Sequence, residues 1–224
     1  MPGYLVAVNQ LVLPGVYAPQ EDTALLVGAL SEEPLPPHAD VLDVGTGSGA
    51  LALEAARRGL RVTAVDVSRR AVWAARLNAR RAGLSVRILR GNLFEPVRGR
   101  TFDLVLANPP YVPAPDRGMP PRGRARAWDA GQDGRLVLDR ICREAPGMLR
   151  PGGVLLLVHS ALSDPERTVS CLRERGLKAA VTLRHHIPFG PVMRERQNWL
   201  KARGLLASDE NKEELVVVRA ERPL

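Results

Sequence analysis

Asp40-Val41-Leu42-Asp43-Val44-Gly45-Thr46-Gly47-Ser48-Gly49-Ala50 is the stretch that decides the fold. A short run of strand character meets three glycines at alternate positions, and Leu51 to Arg58 then carries a helical pattern. Glycines at such a junction allow a tight turn and let a ligand approach the backbone closely. Arg61 to Val65 is the next strand, and Asp66 closes it seventeen residues after Gly49. An acid there is well placed to accept hydrogen bonds from a ribose diol.

The same rhythm continues outward. Ser68 caps a helix to about Arg81, and strands follow over 86–89 and 102–107. A Pro- and Arg-rich loop spans 112–130, a helix runs from about Arg135 to Leu149, and Gly153 to His159 is a continuous apolar strand. A helix over 164–175 precedes two strands, about 179–183 and 215–219, which flank an insertion at 186–212 containing a helix. Upstream, the first fifteen residues are apolar and irregular, and a helix runs from near Pro19 to about Leu30. Strands separated by helices call for a parallel sheet covered on both faces. The last two lack a crossover helix of the usual length and read as an antiparallel pair. The organisation is one domain over 1–224, with 1–37 as an N-terminal extension and helix.

Gly45-x-Gly47-x-x-Ala50 also satisfies the relaxed nicotinamide fingerprint, so a dinucleotide fold competes. Asp43 tips the balance. A carboxylate just before the first glycine repels a pyrophosphate and suits a cationic ligand without phosphate. S-adenosylmethionine carries an ammonium and a sulfonium and has no phosphate. The run through Asp43, Gly45, Gly47 and Gly49 resembles the first motif of class I methyltransferases, with Asp66 as the ribose-binding acid. By the same resemblance Asn92 lies at the adenine edge beside Leu93, its side-chain oxygen able to receive an adenine amine.

Asn108-Pro109-Pro110-Tyr111 ends the fourth strand, at the edge where open α/β sheets bind ligands. The prolines stiffen the backbone after Asn108, and a planar ring follows at once. An amide or aromatic amine is a weak nucleophile because its lone pair is delocalised. Its NH2 can donate to the Asn108 side-chain oxygen and the Pro109 carbonyl, which would hold the nitrogen and aim it. An in-line displacement so arranged depends on positioning. Tyr111 would pack on the flat face of the target group, and the chemistry calls for no metal.

These motifs resemble the HemK/PrmC-type glutamine N5-methyltransferases, and most closely the short eukaryotic and archaeal branch without an N-terminal domain. The resemblance runs from about Gly15 onward. Val16-Tyr17-x-Pro19-x-Glu21-Asp22-Thr23 is similar to that branch's N-terminal signature, placing Thr23 near the cofactor. Ala127-Trp128-x-Ala130-Gly131-x-Asp133-Gly134-Arg135 is similar to the segment after its catalytic loop. The resemblance implies a Rossmann-like seven-stranded sheet of order 3-2-1-4-5-7-6 with the last strand antiparallel. It also implies S-adenosylmethionine as cofactor, and as substrate the glutamine of the GGQ motif in a peptide-chain release factor. Members of the branch work with a small zinc-binding activator subunit. The insertion at 186–212 is longer than in the short eukaryotic members, and the loop bearing Arg117, Arg122, Arg124 and Arg126 is unusually basic.

The Asn-Pro-Pro-Tyr type also serves enzymes that methylate adenine N6 in DNA or guanine N2 in RNA, since all present a planar NH2. A DNA enzyme must flip its base and needs recognition elements for that. RNA is therefore the better nucleic-acid alternative, with the arginine loop on phosphates. Methylation of another protein side chain and a non-catalytic cofactor-binding scaffold are the remaining readings.

Composition bounds these choices. The 224 residues carry a net charge of +8 and 45% hydrophobic residues, but only 4% aromatics, too few for a broad base-stacking surface. Arginine supplies 29 of the 32 basic residues, and their distribution is uneven: 1–53 carries −6 and 54–100 carries +9. A solvated arginine-rich helix face explains such an excess as well as an acidic partner does. Cys142 and Cys171 lie far apart and read as small hydrophobes in a reducing compartment. Adjacent His185 and His186 point to opposite faces of a strand, so they read as packing residues rather than joint metal ligands. With no secretory leader or membrane-length apolar run, the expected location is the cytoplasm.

Overall fold

The computed structural model describes residues 10–118, 120 and 124–224. Arg122 and the first nine residues of the irregular N-terminal stretch lie outside them. The elements run α1 (Glu21–Glu32), β1 (Asp40–Val44), α2 (Ala50–Arg57), β2 (Arg61–Asp66), α3 (Arg69–Arg81), β3 (Val86–Arg90) and β4 (Phe102–Ala107). There follow α4 (Leu138–Glu144), β5 (Leu149–Ser160), α5 (Pro165–Arg173), β6 (Lys178–Pro188), α6 (Pro191–Ala202) and β7 (Lys212–Glu221).

The seven strands form one sheet of order β3-β2-β1-β4-β5-β7-β6. The first five are parallel, whereas β7 is antiparallel to both β5 and β6. Strands buried on both faces must be apolar throughout, and Leu155, Leu157 and Val158 of β5 are fully buried. Each such side chain contributes about 1.5–3 kcal/mol. On one face α1, α2 and α3 pack through Leu26, Leu30, Leu53 and Val72. On the other α4, α5 and α6 pack through Leu138, Ile141, Leu172 and Leu200.

Several arginines are committed to this frame. At the amino edge of the sheet Arg150 contacts Asp40 at 2.6 Å and Asp103 at 2.7 Å, while Arg61 meets Asp40 at 2.9 Å. Arg61 and Arg150 hold the Asp40 carboxyl down at about 2. The positive excess of this region is thus partly structural charge, on the sheet edge opposite the glycine loop.

Four details differ from the sequence reading. The helix expected to reach Leu149 stops at Glu144, and a 3-10 turn over Ala145–Met148 replaces its end. Pro146 lacks the N–H that an α-helix would need there. β6 extends to Pro188 and β7 begins at Lys212, leaving 189–211 between them. His185 and His186 do not pack but stand exposed, His186 Nε2 lying 3.9 Å from Glu214 Oε1. They sit on the edge strand, which has a neighbour on one side only. Cys142 is buried, as its apolar helix face demands, but Cys171 only partly so. No described helix is long and apolar enough to cross a membrane.

Candidate active site

Parallel strands β1, β2 and β4 end side by side, so Val44, Asp66 and Ala107 deliver the glycine loop, an acid and the Asn108 turn to one edge. The loop is tied to β2: the N–H groups of Gly45 and Thr46 donate to Val65 O at 2.9 and 3.0 Å. Gly49, at the start of α2, has φ 92°, and a Cβ there would lie 3.2 Å from Ala75 Cβ. Glycine is therefore required for α2 and α3 to close on each other.

Asp43 is 1% exposed. Its Oδ2 accepts from Thr46 Oγ1 at 2.6 Å and from Ala52 N at 3.1 Å, while Oδ1 has no hydrogen-bond partner among the described residues. Burial pushes this carboxyl up to about 7, against the pull of both donors, and Asp66 adds repulsion. A buried carboxyl with one unmatched oxygen is suited to a cation. Asp66 accepts from Gly47 N at 2.9 Å through Oδ2 and from Ser68 N at 2.8 Å through Oδ1; burial raises its pKa too. It therefore fixes the loop's conformation as well as presenting an acid at the strand end. Asp43 and Asp66 offer carboxylate acceptors to a ligand with a positive charge and a diol, both of which S-adenosylmethionine carries.

Next to these, Asn92 is engaged at both ends. Its Nδ2 donates to Glu95 Oε1 and its Oδ1 accepts from Arg140 Nη1, both at 3.1 Å. The oxygen assigned by resemblance to the adenine edge is thus shared with an arginine. Leu93 takes φ 48°, a left-handed conformation uncommon outside glycine.

Asn108 Nδ2 donates to Thr23 Oγ1 at 3.3 Å, so α1 orients the amide and its Oδ1 lies on the opposite branch. Tyr111 is 9% exposed, and its hydroxyl donates to Asp22 Oδ2 at 3.0 Å. Its carbonyl accepts from Ser163 Oγ at 2.7 Å. Gly134, φ 72°, packs against the same carbonyl: a Cβ there would come within 2.3 Å of it. Buried Arg135 donates through Nη1 to Ser163 O, to Asp164 O at 2.8 Å and to Thr168 Oγ1 at 3.0 Å. The Gly134-Arg135 pair thereby clamps the turn that carries Tyr111. The ring is held from both ends, more rigidly than a face offered to a target group requires.

Three contributors were not singled out from the sequence. Asp22, in the first turn of α1, accepts from Tyr17 OH at 2.6 Å as well as from Tyr111. Asn78 of α3 accepts from Leu11 N at 2.9 Å and donates to Leu11 O at 3.0 Å and Ser48 O at 2.9 Å, holding the chain around Leu11 to the glycine loop. Arg196 of α6 lies 2.6 Å from Asp129 Oδ1 and donates to Pro113 O at 3.1 Å, fastening the loop after Tyr111. The Tyr17–Asp22 segment gave a sequence signal through its motif; the other two required the fold.

Comparison with known proteins gives a consistent picture. The family described as "Methyltransferase small domain" matches residues 8–117. A Methanocaldococcus jannaschii protein named "Putative protein N5-glutamine methyltransferase" is 34% identical, over 80% of this chain and 90% of its own length. The release factor glutamine methyltransferase of Moorella thermoacetica is 41% identical over 72% of this chain, which spans only 62% of that protein. Among solved structures, the E. cuniculi Mtq2–Trm112 complex, described as responsible for methylation of the eRF1 translation termination factor, matches with TM-score 0.65 and 25% identity. That alignment covers 93% of this chain and 99% of the other.

Proposed function

The chain belongs to the S-adenosylmethionine-dependent glutamine N5-methyltransferases, and from that premise we propose that it methylates the GGQ glutamine of a peptide-chain release factor. The observation that carries the reading is the Asn108 side chain, tethered through Nδ2 to Thr23, which leaves Oδ1 on the opposite branch to receive an N–H donor. A glutamine NH2 has two protons. Asn108 Oδ1 accepts one and the Pro109 carbonyl the other, while Pro110 and the anchored Tyr111 fix the turn and close the flat side of the amide.

The cofactor supplies a methyl group on a sulfonium, activated for displacement. On its side of the site Asp43 complements positive charge, and Asp66 holds the ribose hydroxyls. The loop of Gly45, Gly47 and Gly49 admits the ligand to the backbone, with Thr23 beside it. Asn92 and Leu93 border the adenine. Two oriented acceptors hold the amide nitrogen in line, which removes most of the entropic barrier to the transfer.

The chain acts as one catalytic domain in the cytoplasm, where release factors work. A small zinc-binding activator subunit is part of the proposal. β3 offers an edge strand for it, and Trp73 on α3 is 55% exposed. The test is transfer of labelled methyl from S-adenosylmethionine in cell extract, with the product identified by mass spectrometry. Label on the GGQ glutamine is expected. Label on ribosomal RNA, tRNA or DNA, with none on release factor, would overturn the assignment.

A further inference from the structure

Asp22 stands in the first turn of α1 and is 3% exposed. Four donors converge on its two oxygens. Oδ2 accepts from Tyr17 OH at 2.6 Å and from Tyr111 OH at 3.0 Å. Oδ1 accepts from Thr23 N at 2.6 Å and from Thr23 Oγ1 at 3.2 Å. Burial, then Asp22, raises both phenols, so Tyr17 and Tyr111 keep their protons and meet the carboxyl as donors. A carboxylate offers only lone pairs, and each of these four hydrogen bonds uses it in that sense.

The Thr23 hydroxyl has one proton and two lone pairs. Its proton is committed to Asp22, so the side that Thr23 Oγ1 turns to Asn108 carries a lone pair. Only an N–H can answer a lone pair, and Asn108 Nδ2 is the atom that lies 3.3 Å away. Without the carboxyl the hydroxyl proton could swing to Asn108 and hold the amide the other way round, Oδ1 inward and Nδ2 outward. A reversed amide would set a donor against the donor NH2 of the acceptor, and the two would repel. The amide has nearly the same shape in both orientations, so packing cannot choose between them. Hydrogen-bond direction can.

We propose that Asp22 sets the polarity of Asn108: by taking the Thr23 proton it obliges the amide to donate inward through Nδ2 and to present Oδ1 to the acceptor. Asp22 is thus a positioning residue, acting through Thr23 rather than on the reacting nitrogen. Its second oxygen anchors the Tyr111 ring. One buried acid on α1 therefore orients both the amide and the ring of the turn that follows β4. A dipole fixed before the acceptor arrives needs no reorganisation during the transfer, which is where such an arrangement lowers the barrier. The inference rests on the reading that the acceptor is an NH2 nitrogen.

The experiment is a double-mutant cycle on kcat and KM, with the intact protein, saturating S-adenosylmethionine and a release factor as acceptor. Asp22→Ala should lower kcat by about tenfold more in the wild-type background than in Thr23→Val, where no hydroxyl is left to direct. Any loss through the slackened Tyr111 ring is common to both backgrounds and cancels in the comparison. The same factor in both backgrounds, or a difference confined to KM, overturns the proposal. If Asp22→Ala does not fold, neutron diffraction from the deuterated wild type decides. The Thr23 hydroxyl deuteron should point to Asp22 and an Asn108 Nδ2 deuteron to Thr23; a Thr23 deuteron pointing to Asn108 overturns the proposal. Should the wild type label a different NH2 acceptor and no release factor, the functional assignment fails, and the same cycle on that acceptor decides the role of Asp22.

Discussion

Asn108 and Thr23, 85 residues apart in the chain, meet side chain to side chain at 3.3 Å. One amide branch is spent on helix α1 so that the other is aimed. Thr23→Val should therefore lower turnover about tenfold by freeing the amide to rotate, and Thr23→Ser should restore most of it. Steady-state rates of the two variants at saturating cofactor distinguish this from a simple packing defect, in which serine would rescue nothing.

Asn108→Ala removes the acceptor itself. Turnover should fall about 10²–10³-fold, the loss typical of one oriented polar group at a reacting centre. Calorimetric affinity for S-adenosylmethionine should stay near the wild-type value. Activity equal to wild type would remove Asn108 from the mechanism.

Asp66 bonds the Gly47 and Ser68 amides as well as facing the ribose position. Asp66→Ala should weaken cofactor binding about 10–100-fold, the worth of hydrogen bonds to a charged group. It should also lower the melting temperature of the free protein. Unchanged calorimetric affinity would contradict the ribose role.

Burial holds Asp43 at about 7, above its unfolded value, so the folded state keeps a proton that the unfolded chain has released. The stability it contributes is full below about pH 4 and is lost as pH rises through about 7. His159, pushed by burial to about 4, works the other way: its contribution is lost as pH falls through that value. Melting curves at about pH 5 and 8 should show the wild type losing more stability toward alkaline pH than Asp43→Asn does. Equal losses would reject Asp43 as the source.

Arg196 holds the loop after Tyr111 through a largely buried contact with Asp129. Arg196→Ala leaves that carboxylate without its cation, at about 3 kcal/mol. Limited proteolysis should then cut the loop after Tyr111 faster than in the wild type. Resistance equal to wild type would mean that the loop holds itself.

The glycine loop and the Asn108 turn were legible because each is a contiguous motif whose residue types answer a local need. The parallel sheet followed from the alternation of elements, and its strand order from the family resemblance alone. Asp22 was legible only as a member of the motif over 16–23; its bond to Tyr111, 89 residues along the chain, required the fold. Arg196 was hidden for a similar reason, being one arginine among many until α6 is laid against the loop. Helix α4 was overextended because its apolar period continues past Pro146, which periodicity alone does not register.

The position of β7 between β5 and β6 has a consequence for biosynthesis. A ribosome delivers β5 and β6 first, each lacking the partner that joins them, and the strand that closes the sheet comes last. Until residues 212–221 emerge, β5 presents an apolar open edge of the kind that pairs with other chains. Closure of the sheet thus waits for nearly the whole chain, and a nascent chain cannot acquire it earlier.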